Sequence, residues 1–244
     1  MNNSIDAGAV IQRTFQIYID QSPVLMPAAA VVFVFTGVLS AVLIAASPGL
    51  VLVAEPITLV ATSLFTGMVV ELVADVRDGR RDSSAGALLR AVTPVLGQLV
   101  LMGFVAAVLE GIGLVLLVIP GLMLITMWSV FAPVIVLERA SGLRALGRSR
   151  ELVRGNGWQV FAVIFVMFML VGVLGTGLTL AAAVAGSGVE LVVRVIVGVL
   201  GAPLVALAQA ILYFDLGAAR ESPQGVIQDP PDPVQSSPFP PTGL

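Results

Sequence analysis

Residues 119–161 read IPGLMLITMWSVFAPVIVLERASGLRALGRSRELVRGNGWQVF. The passage opens on Ile119-Pro120-Gly121, continues as an apolar arm to Leu137, crosses a segment with five arginines, and becomes apolar again after Trp158. About 17 to 25 apolar residues in a helix are enough to cross the hydrocarbon core of a bilayer. Two apolar arms separated by an arginine-dense segment therefore read as two membrane spans joined on one side.

Composition agrees. Of 244 residues, 58% are hydrophobic and 11% charged, whereas soluble domains carry charge on roughly a quarter of their residues. The apolar residues fall in runs rather than on one helical face, which describes helices that are greasy all round. There is no His, Cys or Lys, so all twelve basic residues are Arg. That removes the usual soft-metal ligands, thiol chemistry, disulfides and His-dependent triads from consideration. It also removes the P-loop lysine and Schiff-base chemistry, and no GxSxG elbow or strand-borne GxGxxG is present. The net charge of -3 selects no partner, and nothing in the chain points to nucleic acid.

Six segments qualify as spans, at about 24–46, 49–74, 92–118, 121–137, 159–184 and 190–214. The expected fold is all-α, a polytopic membrane protein of six transmembrane helices in three hairpins, with short interfacial amphipathic helices. The second hairpin is expected to bend at Pro120. At the first tip Ser47 suits a helix N-cap, with Pro48 at the first helical position, and the third tip is Ala185-Gly186-Ser187-Gly188. This division places every Arg except Arg194 on one side of the membrane. The positive-inside rule makes that side cytoplasmic, with both termini inside. Lys-free, arginine-rich usage fits a GC-rich bacterial genome, so the expected location is the bacterial plasma membrane.

The domain organisation follows from the same pattern. Residues 1–22 form an expected N-terminal interfacial helix, with Ser4 as cap and Ile5, Ala9, Ile11, Phe15 and Tyr18 as its apolar face. The run 23–220 is the six-helix domain, without a cleavable signal sequence. Residues 221–244 carry seven prolines and read as a disordered cytoplasmic tail.

Within the passage, residues 141–155 have helical spacing. Leu143, Ala145, Leu146, Ser149, Leu152 and Val153 share one half, while Arg144, Arg148, Glu151 and Arg154 share the other, with Arg150 at the edge. Such a helix is expected to lie on the membrane surface. Arg144, Arg148, Arg150 and Arg154 are then candidate contacts for anionic lipid headgroups, at about 1 kcal/mol each near the surface. The alternative is that they only set topology.

The passage resembles the membrane domain of glycerophosphoryl diester phosphodiesterases and its stand-alone relatives. The matching residues are Ile119, Pro120 and Gly121, then Pro133 and Glu138, then Ala145, Leu146, Ser149, Leu152, Gly155 and Trp158. The stretch from Gly8 to Tyr18 is similar to the start of that domain. The resemblance implies a six-span fold associated with membrane lipids. In those enzymes hydrolysis belongs to a separate soluble barrel with catalytic histidines, so no catalytic, cofactor or metal residue carries over, and the expectation is a non-enzymatic protein.

Ionisable residues within spans are costly and mark candidate sites. Glu55, Glu110, Glu190 and Arg194 are all placed in the outer half, with Arg194 one turn after Glu190. They are read either as a polar intramembrane site or as a structural ion pair between the third and sixth spans. The leading functional expectation is an accessory or organising factor for lipids or for another membrane protein. The alternative is a small transporter or channel using the Glu110 and Arg194 region, which should show a water-accessible cavity reaching Glu110 and, ideally, a break in the third or sixth span.

Overall fold

The computed structural model describes residues 5–79 and 84–221. Ser4, Arg80, Arg81 and the proline-rich tail from residue 222 lie outside the described residues. Helix predominates among the described residues, and there is no strand among them. In chain order the helices are α1 (Ala7–Asp20), α2 (Ser22–Ala46), α3 (Val51–Arg77), α4 (Ala85–Val92), α5 (Leu96–Leu116) and α6 (Val118–Met127). They continue as α7 (Phe131–Glu138), α8 (Leu143–Val153), α9 (Gly157–Met167), α10 (Leu174–Val184) and α11 (Ser187–Glu221). Six stretches, 22–46, 51–77, 85–116, 118–138, 157–184 and 187–220, are long and apolar enough to cross a membrane. They coincide with the six expected spans to within a few residues, except that the third begins earlier, at α4.

The helices of neighbouring spans, α2 with α3, α5 with α6 and α10 with α11, pack against each other. The turn between α5 and α6 falls at Leu117, which is extended at φ -155 and ψ 120, and not at Pro120. Pro120 instead occupies the first turn of α6, where backbone N–H groups have no partner in the helix and a missing one costs nothing. Gly121 is needed for close approach. A Cβ there would stand 2.6 Å from the Leu114 amide nitrogen and 2.7 Å from its Cα. Ser47 likewise ends α2 in extended conformation and leads into a 3-10 turn, Pro48–Leu50, so α3 starts three residues later than expected.

Burial is concentrated towards the arginine-rich end. The largest fully buried side chains include Phe65 of α3, Leu99 of α5, Ile135 of α7, Leu152 of α8 and Leu207, Ile211 and Leu212 of α11. The middle of helix α7 is buried, with Ala132, Val134, Ile135 and Val136 at most 3% exposed. Towards the other end, large apolar side chains on α2, on α9 and α10, and around the α5–α6 turn are exposed. Glycines let α11 approach its neighbours there. A Cβ on Gly198 would stand 2.6 Å from the Phe33 ring, and one on Gly201 would collide with Val171.

The N-terminal helix is docked on the bundle. It packs against α11 and α9, and its buried positions are Val10 and Thr14, both 0% exposed. Ala9 and Phe15, expected on the apolar face, are exposed. The phase shift is possible because the Thr14 hydroxyl donates to the Val10 carbonyl at 2.8 Å, so a polar residue enters the core already satisfied. The described cap is Asp6, whose carboxylate accepts from the Gly8 and Ala9 amides. Arg13 anchors the helix to Asp215 of α11 at 2.8 Å, with Arg77 of α3 4.0 Å from the same carboxylate.

Candidate functional site

Helix α8 departs most from expectation. Its apolar half does not rest on lipid. Ala145, Leu146, Ser149, Leu152 and Val153 are buried against the protein, chiefly against α7, α11 and α6. Leu143 alone of that half is exposed, at 70%. An amphipathic pattern records that one face leaves water, and either lipid or protein satisfies it.

Ser149 holds α8 in place. The fourth span is interrupted at residues 128–130, between α6 and α7, and the Ser149 hydroxyl sits in the break. It donates to the Met127 carbonyl at 2.9 Å and accepts from the Val130 amide at 3.3 Å. Ser129 closes the break from the other side by donating to the Thr126 carbonyl. Non-helical backbone at membrane depth requires such partners.

The charged half of α8 divides into two groups. Arg148 is engaged: its Nε donates to both Glu138 oxygens at 3.2 and 3.0 Å, and Glu151 lies 3.6 Å away. The Tyr213 hydroxyl donates to the same Glu138 at 3.0 Å. The hydrogen bond to Glu138 holds the Arg148 guanidinium above its ordinary pKa. Arg144, Arg150 and Arg154, by contrast, have side chains in no ion pair among the described residues. The carbonyls of Glu151 and Arg154 accept from the Arg220 guanidinium, which caps the end of α8.

Arg150 and Arg154 border a groove of about 990 Å³ between α6, α8 and the start of α9. Ile119, Leu122 and Met123 of α6 form one wall, and Trp158 and Phe161 of α9 the other. Ile119 is 77%, Met123 60% and Trp158 77% exposed, so the groove is open to its surroundings. Sequence reasoning placed Arg150, Arg154 and Trp158 at an interface but missed the groove. The usable signal was the cluster Gly147, Gly155 and Gly157, all of which line it.

Among the described residues no ion pair joins Glu55 or Glu110 to Arg194. Arg194 pairs with Glu190 of its own helix at 2.5 Å. Glu55 and Glu110 form no ion pair among the described residues, so no pair links the third and sixth spans there. Among the described residues no three acidic side chains gather into a metal-binding group. Near the arginine-rich end, Glu71 lies 3.8 Å from Arg139, and Asp215 holds Arg13.

The DUF8558 family, described as a domain of unknown function, matches residues 86–216, more than half of the chain and the whole groove. The chain belongs to the DUF8558 family. Comparison with curated proteins gave no match, and neither did comparison with solved structures. The DUF8558 match begins in α4 and ends in α11. It therefore includes Ser149 and the Glu138–Arg148–Tyr213 cluster but not α1.

Proposed function

We propose that this chain is a non-enzymatic, six-span protein of the bacterial plasma membrane, with both termini cytoplasmic, that recognises anionic lipid and acts as a lipid-associated accessory or organising factor. The observation that carries the reading is the adjacency of two guanidiniums in no ion pair, Arg150 and Arg154, to a groove with an exposed apolar wall. A guanidinium is a strong donor to phosphate oxygens, and the adjoining apolar wall suits an acyl chain. The reading narrows the lipid contacts to Arg150 and Arg154, with Arg144 as a surface contact, because Arg148 is committed to Glu138.

Orientation in this proposal rests on the arginines. Arg13, Arg77, Arg90 and the five between α7 and α9 belong to the end where the core is packed, and Arg194 to the other, which under the positive-inside rule makes the packed end cytoplasmic. The likeness to the membrane domain of glycerophosphoryl diester phosphodiesterases fits this reading, since Pro120, Gly121, Glu138, Ser149, Gly155 and Trp158 all lie at the α5–α6 turn, around α8 or on the groove.

Native mass spectrometry of the gently extracted protein tests the proposal. Retention of an anionic lipid in preference to neutral lipid is the expected result. Purely neutral lipid, or a retained protein with no lipid, contradicts it. The transporter reading has less support, because neither Glu110 nor Arg194 lines the groove and the break at residues 128–130 has its freed backbone groups bonded by Ser149 and Ser129.

A further inference from the structure

We infer that the groove seats one phospholipid whose phosphodiester headgroup carries a single net negative charge, with an acyl chain laid along α6. This rests on the lipid-recognition reading above and specifies the ligand of the same site. The wall from Ile119 to Met127 covers eight helical steps, about 12 Å at 1.5 Å per residue. It presents Ile119, Leu122, Met123 and Met127 to the groove, with Phe161 opposite, so an extended chain meets apolar surface along that length.

The charge at the other end is specific. Arg150 and Arg154 stand one turn apart on α8, and Glu151 lines the groove between them. Among the groove-lining residues Arg150, Arg154 and Glu151 sum to one positive charge, and the flanking Arg148 and Glu138 cancel each other, so a phosphodiester monoanion neutralises the site. A second negative charge on the ligand would face Glu151, and like charges in close contact are unfavourable. The Glu151 carboxylate lies 3.6 Å from Arg148 but accepts no hydrogen bond among the described residues, and a carboxylate only accepts, so a headgroup that offers hydroxyl donors beyond its phosphate satisfies it. The start of α9 lies on the same border and has no side-chain cap. Its partial positive charge adds to that of the arginines.

There is room for such a headgroup. A Cβ built on Gly147 or Gly157 meets nothing within 4 Å, so the space beside the arginines is open. The same fact supplies a way to fill it. Gly147→Leu and Gly157→Leu put a side chain into the groove without a backbone clash, and neither glycine has a positive φ. Gly177→Leu is the control, since Gly177 is exposed on α10 with equally open surroundings.

The test is native mass spectrometry of the full chain in detergent, with phosphatidylglycerol, phosphatidylethanolamine and phosphatidic acid added at equal concentrations. A single phosphatidylglycerol adduct is expected, favoured about fivefold or more over the other two, which is about 1 kcal/mol. Each groove-filling variant should reduce that adduct by a similar factor while Gly177→Leu retains it. Arg150→Gln with Arg154→Gln should abolish the preference, and this arm stands even where a leucine variant fails to fold. An adduct that persists unchanged in folded groove-filled protein, or a preference for phosphatidic acid, overturns the inference while leaving general anionic-lipid recognition intact. Absence of any anionic preference in the unaltered protein overturns both.

Discussion

The Ser149 hydroxyl reaches from α8 into the fourth span and donates to the Met127 carbonyl at 2.9 Å. One side chain thereby satisfies two backbone groups at the α6–α7 break, because its oxygen also accepts from Val130. Ser149→Ala removes both bonds at a site that is 0% exposed. Leaving a buried polar group unpaired costs about 1–3 kcal/mol, so a lowered melting temperature in detergent is expected. A melting temperature unchanged from the native protein would show that the break is held by other contacts.

Gly121 and Gly111 provide a matched comparison on the α5–α6 pair. Gly121→Ala forces a Cβ against the Leu114 backbone, whereas a Cβ on Gly111 meets nothing within 4 Å. Gly121→Ala should destabilise by about 1–3 kcal/mol through overpacking, and Gly111→Ala should be neutral or stabilising by about 0.5–1 kcal/mol through helix propensity. Thermal unfolding in the same detergent ranks the two, and equal melting temperatures would rule out the close crossing at Leu117.

Asp215 joins α1 to the bundle by accepting from Arg13 and lying near Arg77. Exposed ion pairs are worth about 0–1 kcal/mol, so Asp215→Asn should leave global unfolding nearly unchanged. Local opening is a more sensitive readout. Faster hydrogen exchange confined to residues 7–20 is the expected outcome. Uniform exchange across the chain would mean that Val10 and Thr14 alone dock the helix.

The chain has no Cys, so single cysteines report topology without removing native ones. With cytoplasmic termini, Ser47→Cys and Ser187→Cys should react with an impermeant maleimide added to intact cells. Ser141→Cys, between α7 and α8, should react only after permeabilisation. The reverse pattern would invert the proposed orientation.

The six long helices were legible because apolar runs of sufficient length need no tertiary information. The break at residues 128–130 was not. Trp128-Ser129-Val130 contains neither Gly nor Pro, and its partner Ser149 is about twenty residues away. Helix α8 was legible as a helix, but periodicity does not distinguish a face packed on lipid from one packed on α7. In α1 the apolar phase was misread because Thr14 satisfies its own hydroxyl within the helix and counts as core. Arg150 and Arg154 could be singled out only once Arg148 was seen to be held by Glu138, and Tyr213, which shares Glu138, is 75 residues from it.

Arg150 and Arg154 are the residues on which the functional account depends. A ligand that binds the folded state raises its melting temperature by an amount that grows logarithmically with concentration over Kd. The most direct measurement is the melting temperature of the purified protein with and without phosphatidylglycerol, using phosphatidylcholine as the neutral reference. The native protein should be stabilised by phosphatidylglycerol only, the Arg150→Gln, Arg154→Gln double variant should lose that stabilisation, and Arg144→Gln should keep most of it. A double variant stabilised as strongly as the native protein would contradict the account.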